Sequence, residues 1–333
     1  MNILPGLLGN GQLKNTFGPA IREDRLAHAY ILEGKEGSGK HTAARLIAAA
    51  AQCERRYDSE AIIPCCSCRS CSKILRNISV DVITISNRDK ASIGVDNIRE
   101  MIRTLYFTPN DGTLKFYFIE NADLMTPQAQ NSLLLSLEEP PEFIVFILLC
   151  SDSTKLLPTI LSRAQLIRME RFNPDFVEEY LIKNNPKADR QKITDAAHLS
   201  GGSLGTAMTL LKNNAKELKY YETAEAAASV LVSASTSEKL TFTKNLPQKE
   251  RQAAVRVLSL TRSAIRDIIA VKKGGDLTFY KSADKIPQSA KNVSVKKLLD
   301  VSSALLSAED DIRANCSLNT VYYSLMLNTQ KGR

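Results

Sequence analysis

The amino-acid sequence predicts an α/β domain with a mainly parallel sheet, followed by a region that is entirely helical. Short apolar segments alternate with helical patterns through the first half of the 333 residues. This alternation is typical of a parallel sheet covered by helices on both faces. A glycine-rich turn joins the first apolar segment to the first Ala-rich helical segment. After Phe172 the strand signal fades and the pattern becomes helical.

The apolar segments predict four strands and a candidate fifth. The four cover residues 29–33, 82–85, 115–119 and 143–150, and the fifth covers residues 166–169. Apolar residues at helical spacing predict helices between these strands, over residues 40–53, 95–106 and 126–137. Ligands of such folds bind at the carboxyl ends of the strands, where the motifs described below fall.

The second half is predicted to contain three short helices and then a longer helical region. The short helices lie within residues 174–211, and helical patterns dominate residues 217–328. Gly274, Gly275 and the lysine-rich residues 281–297 are predicted to form loops between helices.

The composition predicts a cytoplasmic protein. Hydrophobic residues make up 44% of the chain and charged residues 24%, as in ordinary globular proteins. The amino terminus lacks the pattern of a signal peptide, and the longest apolar runs are far shorter than the roughly 20 residues of a membrane helix. We therefore expect no membrane association, and we expect the seven cysteines to be reduced unless they bind a metal.

The net charge of +8 lies entirely in the second half of the chain. Residues 1–170 carry 19 basic and 19 acidic side chains, whereas residues 171–333 carry 25 and 17. A basic half permits an acidic partner or nucleic acid but proves neither. Seven lysines lie within residues 272–297. Because they alternate with serine, asparagine and glycine, they favour a solvated loop over a DNA-binding surface.

The segment Gly34-Lys-Glu-Gly-Ser-Gly-Lys40 has the spacing of a phosphate-binding P-loop. Its glycines let backbone N–H groups turn toward phosphate oxygens, and the following helix and Lys40 add positive charge. The alternative is a flexible turn that happens to precede a lysine, and it fits the flanking strand and helix poorly. The candidate nucleotide-binding residues of this loop are Gly34, Gly37, Ser38, Gly39 and Lys40.

The residues after Lys40 depart from the pattern of an active hydrolase. His41 stands where a serine or threonine would place its hydroxyl on Mg²⁺. Thr42 lies one position later, about 100° around the helix, so it cannot simply substitute. We include His41 and Thr42 in the candidate site, and we expect phosphate binding to survive this change better than Mg²⁺ positioning.

A second nucleotide motif ends the predicted strand at residues 115–119. An active enzyme of this kind carries an Asp-Glu pair there, which holds Mg²⁺ and activates water, whereas this chain carries Glu120 and Asn121. Glu120 can still approach a metal, but the neutral amide of Asn121 cannot accept a proton as a carboxylate does. For catalysis we favour the simpler view that Glu120 and Asp123 are the polar end of a buried strand.

Five cysteines lie within 19 residues, at positions 53, 65, 66, 68 and 71. Four thiolates at such spacing can surround Zn²⁺ tetrahedrally, and we predict that Cys53, Cys65, Cys68 and Cys71 do so. Cys66 is the expected spectator, although it could compete with Cys65. A set without histidine is typical of a structural site, so the zinc would stabilise an insertion in the P-loop domain.

Taken together, these motifs resemble the clamp-loader family of bacterial DNA polymerase III, a branch of the AAA+ ATPases. The resemblance is carried by AHAYILEGKEGSGK, the cysteine insertion, KFYFIENADLMTPQAQNSLLLSLEEPPEFIVFILLC and KLLPTILSRAQLI. It implies an α/β P-loop NTPase (AAA+) domain with a zinc-binding insertion, a small helical lid domain and an all-α collar domain. The implied ranges are 1–168 (insertion at about 53–76), 169–213 and 214–333.

Within this family, the sequence resembles the delta-prime branch, whose nucleotide motifs are degenerate, more than the gamma or tau motor branch. His41 and Asn121 are two departures from the motor pattern. Gly205 is a third, because the motor branch has there an arginine that senses the third phosphate. The intact loop favours retained ATP or ADP, whereas His41 and Gly205 predict that such binding is weak.

One catalytic element of the family is retained. Ser162-Arg163-Ala164 matches the family's Ser-Arg-Cys motif, whose arginine acts in the nucleotide site of a neighbouring subunit. Arginine suits this role because it is always charged and makes paired hydrogen bonds to phosphate oxygens. Without the resemblance, Arg163 would be an ordinary surface arginine.

The resemblance implies a subunit of a ring-shaped complex that contains gamma or tau motor subunits and a delta subunit. That complex opens the sliding clamp and places it on primed DNA. Two other functions are consistent with a P-loop. An active motor ATPase would hydrolyse ATP by itself, and a stand-alone DNA-repair or regulatory ATPase would not associate with loader subunits. The cysteine insertion and the long helical tail argue against the second alternative.

Overall fold

The chain divides into two units, Met1–Phe172 and Asn173–Arg333. The computed structural model describes residues 3–58, 60–87, 92–212, 214–275, 277, 279–280, 284 and 286–329. Within these residues, the first unit combines helices with a sheet, and the second unit is helical.

A parallel sheet of five strands forms the centre of the first unit, as the sequence predicts. The strands are β1 (Ala29–Glu33), β2 (Val82–Ile85), β3 (Lys115–Glu120), β4 (Ile144–Cys150) and β5 (Gln165–Arg168). Their order in the sheet is β2-β3-β4-β1-β5, and every neighbouring pair is parallel. The predicted strand ends are within one residue of these bounds. All carboxyl ends therefore lie at one edge of the sheet, and all amino ends lie at the other.

The helices described in the first unit include three that the sequence pattern does not predict. The helices are α1 (Gly11–Arg22), α2 (Lys40–Ala51), α3 (Arg69–Leu75), α4 (Val95–Arg103), α5 (Pro127–Glu138) and α6 (Pro158–Leu161). Three of them, α2, α4 and α5, are predicted, although α2 and α4 end before the expected residues 53 and 106. Thr126 caps α5 by accepting a hydrogen bond from the backbone N–H of Ala129 at 3.2 Å.

Helix α1 forms even though it contains Gly18 and Pro19, which are poor helix formers. Leu13, Phe17 and Ile21 lie four residues apart and are buried in the core beneath the sheet. This spacing places them on one face of the helix. Tertiary packing therefore outweighs local propensity in α1.

Alternate residues of β3 and β4 face two separate cores. Phe116, Phe118 and Ile147 belong to the core that also contains the buried faces of α1 and α2. Tyr117, Ile119 and Phe146 belong to the core that contains residues of α4 and α5. Both faces of these strands are buried, which explains why they appear in the sequence as continuous apolar runs.

The second unit contains nine helices within its described residues. They are α7 (Pro174–Asn184), α8 (Arg190–Leu199), α9 (Leu204–Lys212), α10 (Asn214–Ser233), α11 (Thr236–Phe242), α12 (Arg251–Lys273), α13 (Gln288–Lys291), α14 (Val295–Arg313) and α15 (Leu318–Asn328). The first three match the predicted short helices. None of the described helices has both the length and the apolar character that a bilayer crossing requires.

The predicted lysine-rich loop at residues 281–297 is wrong in part. Helix α13 and the start of α14 occupy much of it, because Ala290 and Leu298 are fully buried and provide helical packing. Residues 281–283 and 285 lie outside the described residues. The predicted break after α12 is confirmed, since Gly274 adopts a left-handed conformation (φ 73°) at the end of that helix.

A buried carboxylate anchors the loop that leads into β3. Asp81 is fully buried, and it accepts hydrogen bonds from the backbone N–H groups of Asn110 (2.7 Å), Asp111 (2.8 Å) and Gly112 (3.2 Å). A carboxylate that accepts three backbone N–H groups is a strong, charge-assisted contact. It fixes the entry to the strand that ends at Glu120.

We expect Asp81→Ala to lower the free energy of unfolding by about 2–3 kcal/mol, because three backbone N–H groups would lose the buried carboxylate that accepts their hydrogen bonds. Asp96→Ala is the matched control, since this carboxylate is 94% exposed and its loss should cost less than about 0.5 kcal/mol. Denaturant unfolding of both variants measures the difference. Equal stability of the two variants would contradict the anchoring role.

Candidate functional site

The P-loop begins where β1 ends and leads directly into α2. The backbone N–H of Gly34 donates to the carbonyl of Cys150 at 3.0 Å, which ties the loop to the end of β4. Gly37 and Gly39 have φ values of 73° and 88°, a left-handed conformation that glycine adopts without strain. The sequence thus allows the tight turn that a phosphate cradle requires.

Lys40 is almost completely buried at the start of α2. Its ammonium group donates to the carbonyl oxygens of Gly34 and Lys35, the latter at 3.1 Å. Burial lowers the pKa of Lys40, and the nearby acidic groups Asp123 and Glu36 oppose this shift. The lysine is thereby held inside the loop, at the position from which it would contact a phosphate.

One observation indicates that the loop fits a phosphate group, and a second shows that packing requires glycine at position 34. The hydroxyl of Ser38 is buried and has no hydrogen-bond partner in the described part of the chain. A Cβ on Gly34 would lie 2.6 Å from that hydroxyl and 2.9 Å from the Cβ of Met169, so only glycine fits here. An orphaned donor beside a glycine turn is what an oxyanion ligand would satisfy.

His41 and Glu120 are in direct contact at the carboxyl edge of the sheet. The Nδ1 atom of His41 lies 3.0 Å from Oε1 of Glu120, and their side chains are 49% and 26% exposed. The hydrogen bond from His41 lowers the pKa of Glu120 against the opposing effect of burial, and the charge of Arg45 contributes further. Thr42, predicted as a neighbour of this site, is exposed on α2.

Asn121 and Asp123, the other residues of the second motif, do not share the contact that Glu120 makes with His41. Asn121 has a left-handed backbone (φ 53°), and its side-chain amide donates to Asn87 at 3.3 Å. One carboxylate oxygen of Asp123 is buried without a hydrogen-bond partner among the described residues. The side chain of Asn121 is therefore a neutral amide turned toward Asn87, and it carries no carboxylate.

The four predicted zinc ligands lie together. The sulfur atoms of Cys53, Cys65, Cys68 and Cys71 are all within 4.8 Å of one another. Cys53 and Cys71 are buried, whereas Cys66 is exposed. A compact set of four thiols is the donor set that structural Zn²⁺ prefers, so these residues fit the metal.

Backbone N–H groups support the sulfur atoms of this cluster. Cys68 donates to Sγ of Cys65 at 3.3 Å, and Cys71 donates to Sγ of Cys68 at 3.4 Å. Burial raises the pKa of Cys65, but hydrogen bonds from Ser67 and Cys68 outweigh it and lower the pKa to about 6. Burial raises the pKa of Cys71. A metal ion would favour the thiolate form of each ligand.

The cysteine insertion is attached to the core by α1, which sequence reasoning missed. The guanidinium of Arg22 donates to the carbonyl oxygens of Asp58 (2.8 Å), Arg56 (3.3 Å) and Ala61 (3.3 Å). The thiol of Cys71 reaches the carbonyl of Ala49 in α2 at 3.3 Å. A basic residue at the end of an amphipathic helix was the only available signal for Arg22.

Arg163 lies just before the amino end of β5, between α6 and that strand. Its guanidinium contacts Glu138 at 2.6 Å, the carbonyl of Thr159 at 3.0 Å and the hydroxyl of Ser162 at 3.2 Å. The side chain remains 34% exposed. Glu138 ends α5 in the Leu-Glu-Glu-Pro-Pro segment, and its pairing with Arg163 was not predicted from the sequence.

The P-loop and Arg163 lie at opposite edges of the sheet. The P-loop follows the carboxyl end of β1, whereas Arg163 precedes Gln165, which pairs with Tyr30 near the amino end of β1. A strand of five residues separates the two edges by roughly 15 Å. In the second unit, Gly205 lies in the first turn of α9 and offers no side chain to a ligand.

A family model described as "DNA polymerase III, delta subunit" matches residues 9–173. The delta-prime subunit of Bacillus subtilis DNA polymerase III is 27% identical over 321 residues, which cover 94% of each chain. The chain is thus similar to the DNA polymerase III clamp-loader family. The match to the delta-prime subunit also covers most of the helical half, which contains few recognisable motifs.

Gamma and tau subunits of DNA polymerase III match this chain over a shorter stretch. The tau subunit of Bacillus subtilis is 36% identical over 210 residues, which cover 62% of this chain and 36% of that protein. The gamma subunit of Buchnera aphidicola (strain APS) is 28% identical over 211 residues, which cover 62% and 57%. This chain thus spans little more than half of the Buchnera gamma subunit and about a third of the Bacillus tau subunit.

Solved structures align with this chain at low TM-scores. A DNA polymerase III gamma subunit-related protein of Thermotoga maritima aligns with a TM-score of 0.42 and 18% identity, covering 97% of this chain and 100% of that one. The RuvB Holliday junction branch migration motor of the same organism gives a TM-score of 0.45 and 14% identity, with coverages of 83% and 80%. The fold assignment rests on the strand order and the P-loop.

We expect the purified chain to contain about one equivalent of zinc, and we expect Cys53→Ser to lose it, because three thiolates leave a structural site incomplete. Metal analysis by mass spectrometry measures the zinc content. Cys66→Ser is the matched control and should retain the metal, since its exposed thiol lies outside the cluster. Zinc loss in Cys66→Ser together with retention in Cys53→Ser would reverse the assignment.

Proposed function

We propose that this chain is a delta-prime-like subunit of a DNA polymerase III clamp loader, and that it supplies Arg163 to the nucleotide site of a neighbouring gamma or tau subunit. The observation that carries the proposal is the position of Arg163 at the edge of the sheet opposite its own P-loop. With roughly 15 Å of strand between them, this guanidinium is suited to a phosphate of another chain and not to its own.

The contacts of Arg163 support this role because they orient the guanidinium in advance. Glu138, Thr159 and Ser162 hold it from one side, while part of the side chain stays exposed. Arginines that approach a transferring phosphate from a second chain stabilise the charge of the transition state. Glu138 would act as a positioning residue for this group.

The altered nucleotide motifs support a subunit that is not a motor. His41 contacts Glu120, so neither side chain is arranged to hold Mg²⁺ and its water. Asn121 carries no charge and bonds to Asn87. An efficient hydrolase needs carboxylates and a metal at these positions. The Cys53, Cys65, Cys68 and Cys71 cluster would hold a structural Zn²⁺ that stabilises the insertion.

The helical half would connect the chain to the rest of the complex. Residues 169–213 would form the lid, and residues 214–333 would form the collar that joins the ring. The division of the chain into two units between Phe172 and Asn173 supports the boundary before the lid. The delta subunit and the motor subunits would be direct partners, whereas the sliding clamp and primed DNA would be reached through the assembled complex in the cytoplasm.

We expect Arg163→Ala to leave folding and assembly intact but to lower ATP turnover by the reconstituted complex. Arginine fingers raise the rate of hydrolysis about 10³–10⁵-fold in other nucleotide hydrolases. The neighbouring site would therefore become inactive, while sites that receive an arginine from other subunits would still hydrolyse ATP. Arg163→Lys should also lower turnover, because lysine lacks the planar fork. A steady-state ATPase assay in the presence of clamp and primed DNA provides the measurement.

The matched control for Arg163→Ala is Arg25→Ala, because Arg25 is a more exposed arginine whose only described ion pair is with Glu23. It should leave turnover unchanged. Analytical gel filtration verifies that each variant enters the complex. Normal turnover by an Arg163→Ala complex of verified composition would count decisively against the proposal.

We expect the isolated chain to hydrolyse ATP no faster than its Lys40→Ala variant, because the Mg²⁺ ligands of an active site are missing. A motor subunit would instead show steady hydrolysis that Lys40→Ala abolishes. A phosphate-release assay on both proteins distinguishes the two. Failure of the wild-type chain to copurify with loader subunits would favour the stand-alone ATPase.

A further inference from the structure

The His41–Glu120 contact occupies the two positions that hold Mg²⁺ in an active P-loop site. His41 follows the P-loop lysine, where a hydroxyl normally binds the metal. Glu120 ends β3, where a carboxylate normally binds it. Here Nδ1 of His41 and Oε1 of Glu120 bind each other at 3.0 Å.

These residues do not fit Mg²⁺. The ion requires near-octahedral oxygen ligands at about 2.0–2.1 Å and gives up its water reluctantly, whereas imidazole nitrogen suits other metals. To reach Mg²⁺, Glu120 would have to leave His41, and His41 would then offer no oxygen in its place. Asn121 cannot compensate, since its amide is neutral and bonds to Asn87.

The phosphate cradle itself is intact. Gly37 and Gly39 keep the left-handed turn, the Ser38 hydroxyl lacks a partner among the described residues, and Lys40 is held within the loop. The loop has therefore kept its groups for an anion while the metal ligands next to it have changed.

His41 can supply the positive charge that the metal would otherwise bring. A protonated imidazole has two N–H donors, and Glu120 uses only the one at Nδ1. Among the described residues, the second nitrogen of His41 makes no hydrogen bond.

We propose that this chain binds a nucleoside di- or triphosphate through its P-loop without a divalent cation, with the imidazole of His41 taking the place of Mg²⁺. The inference goes beyond the role in clamp loading, because it concerns phosphate binding by the chain alone. It makes the nucleotide a resident ligand of the subunit and not a substrate.

Isothermal titration of the zinc-loaded full chain with ADP and with ATP tests the proposal. One arm contains excess Mg²⁺, and the other uses magnesium-depleted buffer without a chelator, because a chelator would also attack the cysteine cluster. We expect the dissociation constants of the two arms to agree within about threefold, which corresponds to less than 1 kcal/mol. Lys40→Ala should abolish binding in both arms.

His41→Ser restores the hydroxyl of an active site and provides the decisive variant. We expect it to bind nucleotide at least about tenfold more weakly without Mg²⁺, and to gain a dependence on Mg²⁺ that the wild-type chain lacks. His198→Ser is the matched control and should bind as the wild-type chain does. Because the His41 side chain is about half exposed, the variant should fold, which a thermal melt verifies.

Three results would overturn the proposal. The first is the absence of measurable nucleotide binding by the zinc-loaded chain. The second is a dissociation constant of the wild-type chain that Mg²⁺ lowers about tenfold or more. The third is a folded His41→Ser variant that binds nucleotide without Mg²⁺ as tightly as the wild-type chain does. None of them bears on Arg163, whose test is the turnover of the assembled complex, so the two proposals can fail separately.

Discussion

The parallel pairing of β1 with β4 on one side and β5 on the other fixes where the chemical groups of the first unit lie. A parallel sheet brings the carboxyl ends of its strands to a single edge, so the P-loop after β1 lies at the same edge as Glu120 after β3. The contact between His41 and Glu120 depends on this arrangement. The same pairing sends Arg163, which precedes β5, to the opposite edge. A shift of one residue in any strand would exchange its two buried faces and disrupt both sites.

The contact between His41 and Glu120 contributes little to the stability of the fold. Ion pairs between partly exposed side chains contribute about 0–1 kcal/mol. Helix α2 is held against the sheet by its buried alanines and by Leu46 and Ile47. Positions 41 and 120 are therefore free to vary without loss of the fold, and the ligand chemistry of the site decides which residues suit them.

Much of the first unit could be predicted from local sequence patterns. Buried strands appear as continuous apolar runs, and the P-loop and the cysteine spacing are short motifs whose members lie close in the chain. Helix α1 was missed because its glycine and proline argue against a helix, although the four-residue spacing of the buried Leu13, Phe17 and Ile21 favours one.

Local sequence patterns also do not predict which residues contact the site residues. Glu138 meets Arg163 across 25 positions of sequence, and Arg22 meets the insertion carbonyls across more than 30. No periodicity encodes such pairs, because they depend on the register of the sheet and on the course of the loops. The sequence identifies the residues whose side chains can bind ligands or take part in a reaction. The fold determines which of these residues come into contact.

The close packing around Gly34 has a consequence for how such chains are interpreted in genomes. A side chain at Gly34 would collide with Ser38 and with Met169, so this glycine is required by the architecture whether or not a nucleotide is present. A P-loop signature can therefore persist through evolution as a packing element after hydrolysis has been lost. In this fold, residues just beyond the loop, such as His41, are more informative about catalysis than the glycines themselves.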